Sequence, residues 1–151
     1  MGLKNQAGIP AGSTVLLDTV TLIYFLEEHS RYGMFAERCL RRIESGELRG
    51  VLSSLVFAEL LVPLYRTGDV AAANGLVSRL SGFANLSIHE LDAATSATAA
   101  RLRAKHGLRT PDAIHAATAL SVGADGVLTN DQQFQRLEDE GLTVWLFDDF
   151  V

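Results

Sequence analysis

Arg109-Thr110-Pro111-Asp112-Ala113-Ile114-His115-Ala116-Ala117-Thr118-Ala119-Leu120 reads as a helix that opens on a carboxylate and is otherwise almost wholly apolar. Thr110 is placed to cap it with a hydroxyl oxygen. Pro111 suits the first helical position, where its missing N–H costs nothing, and Asp112 falls in the first turn, where the helix dipole favours negative charge. A helix apolar on most sides is buried on most sides, so Asp112 is expected at the end of a buried element and not on an open surface. At helical spacing it shares a face with His115, Ala116 and Ala119, and the alanines let another backbone come close. The plain alternative is that Asp112 does no more than suit a helix N-terminus. What weighs against that is the placing of other carboxylates in the chain.

Outward from this helix, short apolar runs alternate with longer helical patterns. Val15-Leu16-Leu17 is a strand candidate ending at Asp18, followed by helices over Thr21 to Glu28 and Arg31 to Ser45, the latter stopped at Gly46. Gly50-Val51-Leu52 is a second strand, and Ser53-Ser54 suit the cap of a helix from Leu55 to Arg66. A helix over Val70 to Leu80 and a third strand over Leu86 to Ile88 come next, then an Ala-rich helix from Leu91 to Lys105. After the Asp112 helix, an Asp125-Gly126 turn sets up a fourth strand, Val127-Leu128-Thr129. Asp131 to Glu140 reads as a helix closed by Gly141, and Leu142 to Phe147 as the last strand. Strands alternating with helices imply a mostly parallel sheet covered on both faces. The expected fold is a three-layer α/β/α sandwich of about five strands, forming one domain over residues 1–151, with no repeat or linker to divide it.

Composition narrows the class. Of 151 residues, 48% are hydrophobic and 21% charged, an ordinary balance for a soluble globular chain. Thirteen Lys and Arg against eighteen Asp and Glu leave a net charge of −5, which argues against non-specific coating of nucleic acid. It does not exclude a nuclease, because an acidic metal site inflates the negative count. Cys39 is the single cysteine and has no internal partner, so a reducing compartment, the cytoplasm, is expected. Met1 to Pro10 lacks the apolar core of a signal peptide. Asp18, Glu27 and Glu28 interrupt the longest apolar run, so no membrane contact is expected.

In a parallel sheet the ligand crevice lies beyond the carboxyl ends of the strands. Asp18 ends the first strand, Asp131 follows the fourth after Thr129-Asn130, and Asp112 opens the helix that leads into that fourth strand. Glu59 is the fourth acid, flanked by Ala58, Leu60 and Leu61 inside a helix that otherwise wants a core; a carboxylate there needs a partner or a metal, unless it lies on a solvated face. Pro63, four residues on, removes the donor for the Glu59 carbonyl and should kink the helix. Four carboxylates without a matching set of bases suit hard cations, Mg2+ or Mn2+. No HxH, HExxH or CxxC pattern supports zinc.

Asp18 at a strand end, Glu59 in mid-helix, Asp112 in Thr-Pro-Asp-Ala-Ile-His-Ala-Ala, and Asp131 in Thr129-Asn130-Asp131-Gln132-Gln133-Phe134 together resemble the PIN domain. The compact length and the Leu-Asp-Thr opening are most similar to VapC-type toxins of bacterial toxin–antitoxin pairs. The likeness runs from about Val15 to Phe147. It implies that Asp18, Glu59, Asp112 and Asp131 are both the catalytic and the metal-binding residues of a Mg2+- or Mn2+-dependent ribonuclease. It further implies an RNA substrate, a cognate antitoxin and a homodimer. The sequence departs from the family at Val20, where many relatives carry Asn or Ser, so support for Asp18 would have to come from Thr19, Thr21 or Thr129. Thr129, Asn130, His115 and Arg109 are further candidates for supporting the acids or touching substrate. For His115 the plainer alternative is packing against a partner helix.

Arg101, Arg103, Lys105 and Arg109 lead up to Asp112 and form either a rail for phosphates or a solvated helix end. Two other classes fit poorly. A phosphoacceptor receiver domain needs a lysine at a late strand end, and the only lysines are Lys4 and Lys105; a haloacid-dehalogenase-type phosphatase needs a second Asp where Val20 stands. The stronger alternative is a catalytically weak PIN-like module that binds RNA or protein.

Overall fold

The structure is a computed structural model and describes residues 8–151. Five strands form one wholly parallel sheet: β1 (Thr14–Leu17), β2 (Arg49–Ser53), β3 (Leu86–His89), β4 (Gly126–Thr129) and β5 (Thr143–Leu146), in the order β3-β2-β1-β4-β5. The helices are α1 (Thr19–Leu26), α2 (Gly33–Glu44), α3 (Leu55–Leu60), α4 (Val62–Arg66), α5 (Val70–Ser81), α6 (Ala93–His106) and α7 (Thr110–Ser121). Side chains alternate across a strand, and the strands accordingly feed two cores. Val15, Leu17, Leu52 and Leu128 join Leu22, Ile43 and Val56 on one face, while Leu16, Val51 and Val127 join Leu102, Ala113 and Ala116 on the other. Both faces of the sheet are therefore covered, which is the expected α/β/α sandwich.

Each expected element is present, its ends shifted by one or two residues in several helices, and four differences bear on the fold or the site. The Asp112 helix starts one residue early: Arg109 is the cap, with its carbonyl accepting from Ala113 N, so Thr110 is already helical and no side chain caps this end. The segment Leu55 to Arg66 divides into α3 and α4 at Leu61, just ahead of Pro63, as the lost donor requires. Gln132–Glu140 winds as a 3-10 helix, not an α-helix. Its two buried apolar residues, Phe134 and Leu137, are three apart, and the three-residue turn stacks them on one side. Gly126 is not a turn residue but the first residue of β4, where a Cβ would run into the Thr143 carbonyl and the Trp145 ring.

Among the described residues no helix is long and apolar enough to cross a membrane. The signal-peptide reading of Met1 to Pro10 rests largely on residues 1–7, which lie outside the described residues.

Candidate functional site

Because the sheet is parallel, the carboxyl ends of β1, β2 and β4 share one edge, and the chain crosses that edge at Asp18, at the start of α3 and at Asn130-Asp131. Asp18 follows β1 directly: its N–H continues the β1–β4 ladder to the Leu128 carbonyl, and its Oδ1 accepts from Thr19 N at 2.7 Å. Thr129, the last residue of β4, donates its hydroxyl to Asp18 Oδ2 at 2.8 Å. The same Thr129 oxygen accepts from Asp131 N at 3.1 Å, so one hydroxyl joins the two acidic segments. The support for Asp18 that Val20 does not give thus comes from Thr19 and Thr129. Thr21 turns its hydroxyl into the core, where it has no partner among the described residues, and Val20 packs on the first core.

His115 lies beside these acids. It is buried, with Nε2 2.8 Å from Glu59 Oε1, 3.2 Å from Thr19 Oγ1 and 3.8 Å from Asp18 Oδ1. Thr19 Oγ1 also donates to Glu59 Oε1 at 2.8 Å. The expectation of a His merely packed against a helix is corrected: the ring is buried, but a carboxylate is its partner. Glu59 has both features the sequence left open: its side chain is 35% exposed, and it takes His115 and Thr19 as partners.

Asp112 is the acid in the buried place the sequence indicated, with its side chain 9% exposed, and among the described residues its one ion pair is with Arg109 at 3.2 Å, an arginine 74% exposed. Asp131 uses its carboxylate locally, accepting from Gln133 N at 2.9 Å. Asn130 donates to the Tyr24 hydroxyl at 3.2 Å, not to an acid. The basic run is largely spent elsewhere: Arg101, Lys105 and His106 all contact Glu140, and Arg103 donates to the Leu108 carbonyl. Of the supposed rail, Arg109 alone sits at the acids.

Burial pushes the Asp18 carboxyl above the ordinary carboxylate range and the charge of Asp112 adds to this, while His115 and the Thr129 hydroxyl act the other way. The hydrogen bond from His115 holds the Glu59 carboxyl below its ordinary value, with Thr19 helping against partial burial. Asp18, Glu59 and Asp112 thus come from three elements to one edge, with Asp131 joined through Thr129. Each acid also has a local partner. Among the described residues, no three His, Cys, Asp or Glu side chains stand close enough as placed to hold an ion. The donors nevertheless suit a hard divalent cation: they are carboxylate oxygens, Asp18 has no lysine or arginine partner among the described residues, and the arginine beside Asp112 is mostly in solvent.

The PIN domain model matches residues 15–140, and this chain belongs to the PIN domain family. No curated protein sequence matches it. Among solved structures it is similar to VapBC2 from Rickettsia felis bound to a DNA fragment from their promoter, with a TM-score of 0.66 and 19% identity over 87% of this chain and 98% of that one. VapBC-1 from nontypeable Haemophilus influenzae gives a TM-score of 0.65 at 23% identity, over 89% and 98%. Mycobacterium tuberculosis VapC20, a sarcin-ricin loop cleaving toxin, gives 0.64 at 19%, over 85% and 96%. These likenesses establish the fold.

Proposed function

We propose that this PIN domain, taken as one unit over residues 1–151, is a cytoplasmic Mg2+- or Mn2+-dependent endoribonuclease and the toxin of a VapBC-type pair. The observation that carries the reading is the meeting of Asp18, Glu59 and Asp112 at the carboxyl edge of the sheet, with Asp131 tied in by the Thr129 hydroxyl. Asp18, Glu59, Asp112 and Asp131 are the residues that would hold the cation. Bound there, it would supply charge to a phosphodiester and make a water nucleophilic near neutral pH. Thr19 and Thr129 fix the Asp18 carboxylate by its two oxygens, so its orientation is set before substrate arrives. Arg109, mostly in solvent beside Asp112, is placed to meet a phosphate approaching the edge. Water attacks phosphorus and the 3′ oxygen departs with a proton, leaving a 5′-phosphate and a 3′-hydroxyl.

A cognate antitoxin would seat on apolar surface next to the acids. Glu59 borders a groove of about 320 Å3 walled by Ile23, Leu26, Leu60, Leu64 and Leu76, a setting for an apolar helix or strand. A homodimer would form on the exposed apolar side chains of Phe25, Met34, Val62 and Tyr65, since Val56, Leu60 and Leu61 are spent in the chain's own core.

The test is incubation of the purified chain with single-stranded RNA in Mn2+ and in chelator, with analysis of the product ends. Cleavage only in Mn2+, leaving 5′-phosphates, is expected. Cleavage in chelator or 2′,3′-cyclic ends would show that the ribose hydroxyl attacks and would overturn the metal reading. A binding module without turnover is favoured by one observation, that no three of the acids stand close enough as placed to hold an ion among the described residues; RNA retention without cleavage would identify it.

A further inference from the structure

We propose that His115 is the positioning residue for Glu59, holding one carboxylate oxygen so that the other is kept for a cation. This rests on the reading of Glu59 as a cation-holding residue. The geometry is a triangle: His115 Nε2 lies 2.8 Å from Glu59 Oε1, Thr19 Oγ1 lies 2.8 Å from the same oxygen, and Nε2 and Oγ1 are 3.2 Å apart. An ionised carboxylate only accepts, so Nε2 carries the hydrogen in this pair. Both donors fall on Oε1. Among the described residues Oε2 takes no hydrogen bond and stays available to bind.

Packing alone does not account for the imidazole. The ring is 1% exposed on the alanine-rich face of α7, and its Nδ1 is buried without a partner. A leucine would fill that space and leave no nitrogen unpaired, so by packing alone His115 is the costlier choice. What the ring adds is a fixed donor. Glu59 needs one, because α3 is a single short helix, broken at Leu61, and the Glu59 side chain is one-third in solvent. A carboxylate so placed would otherwise sample several rotamers. His115 comes from α7, the helix that also carries Asp112, and therefore sets the spacing of Glu59 and Asp112 from one rigid element. Partners that orient metal ligands in this way are typically worth about 10–100-fold in metal affinity.

The experiment is calorimetric titration of the purified full chain with Mn2+, comparing wild type with His115→Leu, His115→Gln and His115→Asn. The glutamine amide nitrogen lies near the place of Nε2, and the asparagine nitrogen near that of Nδ1. His115→Leu and His115→Asn should lose about tenfold or more in Mn2+ affinity, and His115→Gln should recover most of it. Melting in chelator identifies any variant that does not fold; should leucine fail, the glutamine and asparagine variants still decide the matter. Wild-type or tighter affinity in His115→Leu would overturn the proposal, because the ring would then be idle or a competitor of the cation. Equal losses in all three would also overturn it, since the imidazole itself would be the ligand. Wild type that takes up no Mn2+ removes the metal reading and this proposal together, whereas unchanged variants of a binding wild type remove only this one.

Discussion

At the outer side of α6, Arg101, Lys105 and His106 close on the single carboxylate of Glu140, at 3.1, 3.2 and 2.9 Å. At the carboxyl edge of β1 the ratio is reversed, and Asp18, Glu59 and Asp112 share one imidazole and one largely exposed arginine. The consequences for acidity are opposite. The bases hold the Glu140 carboxyl down at about 2, whereas burial and Asp112 push Asp18 up. Glu140 is complete: its partners are present and it binds α6 to the end of the 3-10 segment. Among the described residues the edge acids outnumber their cationic partners, and the proposed cation would make up the difference. Charge that is already offset suits a structural tie; charge that is not is where the proposed cation would bind.

That comparison can be broken most sharply by activity. Asp18→Asn or Asp112→Asn should reduce RNA cleavage roughly a hundredfold or more, since the chemistry lost is worth several kcal/mol and each 1.4 kcal/mol is about tenfold. Glu140→Gln should cleave as wild type does. Gel assays at saturating Mn2+ read both, and a loss of cleavage in Glu140→Gln would erase the distinction.

Divalent ions come next. At about a hundred times its dissociation constant, a ligand of the native state adds about 2.7 kcal/mol, which for a chain of this size raises Tm by roughly 5–10 °C. Wild type and Glu140→Gln should show this rise with Mn2+, and Asp112→Asn should show little of it. Thermal melts with Mn2+ and with chelator make the measurement.

Glu140 should matter for stability alone, and with a defined pH sign. Its carboxyl is held at about 2 against an ordinary 4.5, so its contribution is fully present above 4.5 and is lost as pH falls toward 2. Glu140→Gln should cost about 1 kcal/mol near neutrality, the scale of a partly exposed ion-pair network, and the gap to wild type should close on acidification. Urea unfolding at a series of pH values would show it.

The smallest effect concerns Asp18, where the sign is reversed. A carboxyl raised on folding binds its proton more tightly in the native state, so stability falls as pH rises from 3.8 through the folded value, and the cost persists at neutrality. Asp112→Asn removes part of that cost. In chelator at neutral pH its Tm should rise by about 1–2 °C, because the lost pair with an exposed arginine is worth little. A clear fall in Tm would mean that Asp112 serves mainly as a salt-bridge partner.

The parts of this molecule that were legible beforehand are those with local signals. Strand ends, the Pro63 break and the buried acid at the start of α7 follow from a few neighbouring residues. Phe134 and Leu137, three apart, were compatible with either kind of helix, and packing chose the tighter one. Gly126 beside Asp125 looks like a turn because the obstacle, Trp145, arrives from β5. The pairing of His115 with Glu59 was missed for the same reason: its two members are 56 positions apart. The signal available was that His115 shares a helical face with Asp112.

The Thr129 hydroxyl that grips Asp18 belongs to a strand 111 positions further along the chain, and β1 stands between β2 and β4, both of which follow it in the chain. A growing polypeptide therefore emerges with Asp18 already made and nothing to hold it. The central strand waits for β4 to close beside it, a slow, non-local step, and until then the acids are strangers in an unfinished chain. The edge is thus a property of the finished chain: Thr129 and Asp131 are made late, and Asp18 has neither beside it until they are.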